Sequence, residues 1–177
     1  KTAQTSAVMG EPASTASVQT VTSPEQIVDK KEWAARLNRW RQAEERIRDA
    51  ALQRQRGNEN KAESLLREAL QLEPNYSSAQ FELADILLSR GQYQESYTLW
   101  INLLAADPTS VHASLKLAAT LQALKDYEAA LDAAQWALRL DPYSLEAHQI
   151  VATSCMRMNK PDQAIEHLRK IINVERE

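Results

Sequence analysis

At 177 residues with a formal net charge of −3, the chain has room for one repeat domain and a tail, and carries no general attraction to nucleic acid. Three glycines and one phenylalanine, set among abundant Ala, Leu, Gln, Glu and Arg, favour an all-α fold over any sheet. The single cysteine, Cys155, excludes an intrachain disulfide and a cysteine metal centre, and no apolar run approaches membrane-spanning length, so no direct membrane insertion of this sequence is expected.

Residues 1–22 are rich in Ala, Ser, Thr, Val and Gln, with charges only at Lys1 and Glu11, and show no sustained periodicity. The composition predicts a disordered tail or tether. It resembles the spacers that join a bacterial membrane or lipid anchor to an envelope domain, which implies a periplasmic or envelope-tethered chain, with a cytoplasmic one as the alternative. The start at Lys1 rather than at a methionine fits a processed or truncated product with a signal peptide or anchor ahead of it.

Ser23-Pro24-Glu25-Gln26 combines a capping serine, a proline suited to the first helical position and a glutamine that completes a capping box. From there nothing interrupts a helix until about Gln55, and Trp33, Leu37, Trp40, Glu44, Ile47 and Ala51 follow an alternating three-and-four spacing. Residues 24–56 carry nine Lys/Arg against six Asp/Glu, a net +3, whereas residues 57–177 carry eleven against seventeen, a net −6. Residues 23–42 form an N-terminal helical extension with no partner helix of their own. Its Trp33 and Trp40 either fold over the first repeat as a cap, the favoured reading, or make a subunit contact.

The remainder repeats. Pro74, Pro108 and Pro142 lie 34 residues apart, as do Ala50, Ala84, Ala118 and Ala152, then Ala62, Ser96, Ala130 and Ala164, and also Gly57 and Gly91. A period of this length signals stacked helical hairpins. First helices are expected at Ser77–Arg90, Val111–Leu124 and Leu145–Met158, and second helices at Tyr93–Ala106, Tyr127–Leu140 and Asp162–Glu175. Gly57 and Gly91 suit the left-handed residue that ends a first helix, and Lys125 and Asn159 take that place later. Cys155 falls on the inner side of a first helix, as a small buried hydrophobe. Trp100 is expected in the core and Trp136 beside it, exposed on the convex side.

These residues resemble the tetratricopeptide repeat (TPR) family, over about three quarters of the chain. Leu83, Ala84, Gly91, Tyr93, Trp100 and Pro108 carry the likeness in one unit, and Leu117, Ala118, Tyr127, Ala130, Ala137 and Pro142 in the next. Four units fit, at 43–76, 77–110, 111–144 and 145–177. The first departs at Asp49 and Glu59, the last at Pro161 and Arg176, as terminal repeats often do. The resemblance implies a right-handed α-solenoid of stacked antiparallel helix pairs, a TPR-like superhelix.

It also implies a concave groove lined by first helices, and the register carries the family's groove slots onto this chain. One row is Ile47, Phe81, Leu115 and Gln149; the next is Arg48, Glu82, Lys116 and Ile150; a third is Ala51, Asp85, Ala119 and Thr153, with Leu88, Gln122, Met156 and Arg157 further along. An apolar centre at Phe81, Leu88 and Leu115 suits an anchor from a partner peptide or helix, or merely wedges neighbouring helices together. Glu82 and Asp85 oppose a two-carboxylate peptide end, which argues against binding of chaperone tails.

No catalytic constellation, phosphate-binding loop, metal site or cofactor site is expected: His112, His148 and His167 have no ligand spacing between them. The last helix carries Leu168, Ile171 and Ile172 with no later helix to cover them, so either the native chain continues or this end packs against another molecule. This stripe and the pair Trp33 and Trp40 are the candidate surfaces for self-association. The sequence therefore predicts a non-catalytic protein–protein interaction scaffold, favoured in a bacterial envelope assembly or secretion system. A cytoplasmic secretion-type chaperone and the accessory domain of a larger enzyme are the alternatives.

Overall fold

The computed structural model describes residues 30–174, and within them every regular element is helical. The proposed tail 1–22, the Ser23–Gln26 start signal and the residues after Val174 lie outside the described residues. Eight helices run in chain order among the described residues: α1 Lys30–Gln55, α2 Glu59–Leu72, α3 Ser77–Ser89, α4 Tyr93–Ala106, α5 Val111–Ala123, α6 Tyr127–Leu140, α7 Leu145–Arg157 and α8 Pro161–Val174. Each packs antiparallel on its neighbours in the chain, and α5 also touches α3 and α7 directly. The chain is an all-α solenoid of stacked helix pairs.

Two recurring corners impose the stacking. Within a pair, Gly57, Gly91, Lys125 and Asn159 adopt φ of 76°, 77°, 64° and 58°. At each, the following amide reaches back to a carbonyl five places earlier, as from Gln92 to Leu87 at 2.9 Å and from Lys160 to Cys155 at 2.8 Å. This closes the helix end and fixes the turn. It also ends α3, α5 and α7 one residue before the sequence-based boundary. Between pairs, Glu73, Asp107 and Asp141 are extended at φ of −140°, −136° and −134°, the conformation forced on a residue that precedes proline. Ser110 and Ser144 then cap the next helix, each accepting from an amide three residues on at 3.2 Å.

Lys125 occupies a left-handed position in which its Cβ crowds the backbone. Lys125→Gly is therefore expected to stabilise the fold by about 1 kcal/mol and raise its melting temperature by a few degrees. Thermal denaturation followed by circular dichroism checks it.

The core follows the small-residue series. Ala62, Ser96, Ala130 and Ala164 are fully buried, and Ala50, Ala84, Ala118 and Ala152 are nearly so. A methyl or hydroxymethyl group at these sites lets paired helices approach closely, and the Ser96 hydroxyl donates to the Ala84 carbonyl at 2.8 Å to join the two series. Three apolar clusters result, one for each junction between units, with Leu99 and Ala133 shared between successive clusters. Trp100 fills the middle one and is wholly buried; its Nε1–H has no hydrogen-bond partner. Trp136 is exposed on α6, donates from Nε1 to the Pro108 carbonyl at 3.0 Å, and lies beneath the Arg139 guanidinium.

The two ends differ from the middle. Residues 30–42 of α1 are exposed along their whole length. The cap favoured from sequence is realised at Trp40 alone, which stacks on Tyr76 with ring centroids 6.1 Å apart. Trp33 and Leu37 stay exposed. On α8, Ile165, Leu168 and Ile172 face solvent, while Ile171 is half-buried.

Candidate functional site

Helix α5 contacts both α3 and α7 directly, and no comparable contact joins the second helices α4, α6 and α8. The first helices therefore stand closer together, and the stack curves with them on its concave side.

Polar contacts staple that concave wall from one unit to the next. The Arg54 guanidinium on α1 binds both Glu82 and Asp85 on α3, and the Lys116 ammonium on α5 lies 3.5 Å from the other Asp85 oxygen. Further on, the Gln122 amide donates to the Ile150 carbonyl and the Ser154 hydroxyl on α7, each at 2.9 Å. Burial works against the charge on Asp85, yet the Arg54 and Lys116 partners outweigh it and hold the carboxyl below its usual range. Burial likewise opposes the Arg54 charge and is outweighed by Asp85 and Glu82. Glu82, Asp85 and Lys116 are thus engaged with neighbouring units, which lessens the repulsion expected from the two carboxylates.

The groove slots named from sequence divide into three groups. Leu115 is only 6% exposed and belongs to the core, so the apolar centre is narrower than the sequence suggests. Ile47, Phe81 and Leu88 are half-buried. The Phe81 ring packs edge-on to Trp100 at 5.1 Å and tilts over His112 at 5.0 Å, and its remaining surface lines a cleft of about 360 Å³ with Leu103, Ala106 and Ala113. Arg48, Gln149, Met156 and Arg157 are exposed, Arg48 being paired to Glu44 on its own helix. Gln149, Thr153, Met156 and Arg157 follow one face of α7, and Met156 is 59% exposed.

A contact without any spacing signal joins His148 on α7 to His167 on α8, Nδ1 to Nδ1 at 2.9 Å. His148 is buried, and its Nε2 lies 3.2 Å from the Pro142 carbonyl. A carbonyl only accepts, so Nε2 carries the proton, the His148 Nδ1 is left as acceptor, and the His167 Nδ1–H donates across the pair. The Gln80 amide, two periods earlier, donates to the Pro74 carbonyl in the same way at 2.8 Å. Burial is the largest influence on both imidazoles and lowers their proton affinity. Lys170 adds to this at His148 against the opposing Pro142 carbonyl, and at His167 His148 and Lys170 add to it against Glu166.

A depressed imidazole gives stability that is complete above its ordinary value near 6.5 and is lost as pH falls toward the folded-state value. Melting temperature is accordingly expected to drop as pH goes from about 7 to about 5. His148→Gln, which preserves the contact to Pro142, should flatten that dependence. An unchanged pH profile in His148→Gln would assign the effect elsewhere.

Among the described residues no group of three or more His, Cys, Asp or Glu side chains is arranged to hold a metal ion. Cys155 is buried, and that burial pushes its thiol up, away from the reactive thiolate. No helix of the described chain is long and apolar enough to cross a membrane.

Residues 53–116 match the model of the tetratricopeptide repeat family. The repeats are of the tetratricopeptide type. Residues 98–171 also match the family described as anaphase-promoting complex, cyclosome, subunit 3. Among solved structures, the repeats superpose on MamA (residues 41 to the end) from Desulfovibrio magneticus RS-1 with a TM-score of 0.74 and 25% identity, covering 82% of this chain and 81% of that one. A double mutant of MamA from strain RS-1 gives a TM-score of 0.73 at 25% identity, covering 76% and 75%. Sperm-associated antigen 1 of Mus musculus is 32% identical over 85 residues, which is 48% of this chain and 9% of that protein's length. A tetratricopeptide solenoid with these relatives is a protein-interaction scaffold.

Proposed function

We propose that the chain is a non-catalytic scaffold that takes a peptide or helix from a protein partner in its concave groove, within a bacterial envelope assembly or secretion system. The observation that supports the groove reading most is the division of labour along the concave wall. Its central charges are engaged between units, while Gln149, Thr153, Met156 and Arg157 on α7 are left open. An exposed, adaptable thioether beside an amide and a guanidinium offers an apolar contact with polar groups to orient it. The envelope setting, tethered or periplasmic, is supported by the Ala/Ser/Thr/Gln-rich composition of residues 1–22. Self-association through the α8 end, where Leu168 and Ile172 are exposed beside half-buried Ile171, is a further capacity of the same scaffold.

Affinity capture from native lysate tests the groove. Met156→Asp with Arg157→Glu is expected to reduce recovery of the partner roughly tenfold without lowering the melting temperature, since both side chains face solvent. Gln135→Glu on α6 serves as an exposed control away from the first helices. Equal recovery with all three proteins would place the partner off the α7 face. Phe81→Ala is a poorer probe, because Phe81 also supports Trp100 and His112.

A further inference from the structure

The exposed start of α1 is amphipathic in a way the solenoid does not use. Trp33, Leu37 and Trp40 recur at i, i+4 and i+7, and at 56%, 42% and 44% exposure they form an open apolar stripe roughly 10 Å long. At 100° per residue, Lys30 and Arg41 fall on one side of the stripe and Arg36 and Arg39 on the other. Across residues 30–42 five Lys/Arg stand against the single acid Glu32, a net +4, in a chain whose overall charge is −3. Beside the stripe, Trp33, Arg36, Leu37, Trp40 and Glu73 line a cleft of about 420 Å³. Stacking of Trp40 on Tyr76 fixes the stripe's orientation relative to the repeats.

We infer that this segment is an interfacial anchor for an anionic lipid surface. Indole rings suit the boundary between headgroups and acyl chains, having a flat apolar body and one N–H for the wet side. Guanidinium and ammonium groups on both flanks then reach lipid phosphates while their methylene stems stay in the boundary layer. The stripe is too narrow and too short to enter the hydrocarbon core; it lies along the surface. Charge decides the kind of surface. A net +4 concentrated in 13 residues favours anionic over zwitterionic lipid, and Glu73 and Glu32 offset only part of it. A nucleic acid would engage the basic flanks and leave the Trp33–Leu37–Trp40 stripe uncovered.

Co-sedimentation of the full chain with phosphatidylglycerol-containing vesicles tests the anchor, with pure phosphatidylcholine vesicles as control. Binding is expected to the anionic vesicles only, weakened roughly tenfold when salt rises from about 0.1 to about 0.5 M. Arg36→Glu with Arg39→Glu and, separately, Trp33→Ala should each weaken it roughly tenfold, with circular dichroism melts unchanged because these residues lie outside the packed repeats. Absence of vesicle binding by the parent chain, or binding that survives both variants, would overturn the inference. So would a concentration-dependent dimer that Trp33→Ala abolishes in a chain that ignores vesicles, which would assign the stripe to a second copy. Retention on an acidic peptide or an oligonucleotide without vesicle binding would overturn it equally.

Discussion

Ala130→Glu is expected to cost at least 4 to 5 kcal/mol, by rough estimate, and to unfold the central repeats at ordinary temperature. Ala130 is fully buried on α6, in the same cluster as Ala84, Trp100 and Leu117 from the preceding elements. A glutamate there has neither space nor a partner. Its carboxylate would have to stay charged in an apolar junction, take up a proton, or push α6 away from α5. Each outcome breaks the seam between two units, and a solenoid transmits that break, since every unit is stabilised by its neighbours. Ala130→Gly keeps the space and should cost only about 1 kcal/mol from the helix propensity of glycine. Circular dichroism melts of the two variants read the difference. A native melt for Ala130→Glu would show that α6 does not face the core through this residue.

Trp100 carries the second large effect. It is the largest of the fully buried side chains and packs between Phe81 and the α5 residues of the middle cluster. Trp100→Ala should cost about 3 to 5 kcal/mol, through lost transfer energy and the cavity left behind. The Trp100 Nε1–H is buried without an acceptor, so the indole already bears an uncompensated desolvation. Trp100→Phe removes that N–H and part of the volume, and its cost should be well under half that of the alanine variant. Chemical denaturation of both separates the readings: equal losses would mean that the indole nitrogen contributes a bond the packing does not reveal.

The elements most legible in the sequence are those fixed by local chemistry repeated at a constant interval. Pro74, Pro108 and Pro142 announce the extended corners, Gly57 and Gly91 the left-handed ones, and the Ala50 and Ala62 series the buried seams. All of these are single-residue requirements, so they survive as a written pattern. Asn159 and even Lys125 follow the period into the left-handed region, which shows that the stacking geometry overrides a local preference. Burial at equivalent slots is less legible. Phe81 and Leu115 share a register position, yet Leu115 is in the core and Phe81 is half open, because exposure depends on which neighbours the adjoining unit supplies.

Pairwise contacts between units were harder to foresee. The Arg54–Glu82–Asp85–Lys116 ladder joins residues whose separations fall a little short of one period, which is where side chains of neighbouring first helices meet. Opposite charges in adjoining first-helix slots would have revealed it. The His148–His167 contact has only a weak signal of this kind: His148 stands one period after Ser114 and two after Gln80, both buried and both bonded to a carbonyl of the corner before them. That recurrence marks the slot as one that satisfies a corner carbonyl. It gives no sign of the partner on α8.

The groove reading is tested most directly by oxidative footprinting of the methionines in the free chain and in its complex with a captured partner. Met156 is 59% exposed on the α7 face, whereas its neighbour Met158 is half-buried at the helix end and serves as an internal reference. In the free chain Met156 should be converted to the sulfoxide faster than Met158. Partner binding in the concave groove predicts a severalfold slowing at Met156 with little change at Met158. An unchanged Met156 rate in the saturated complex would contradict the proposal that the concave face holds the partner.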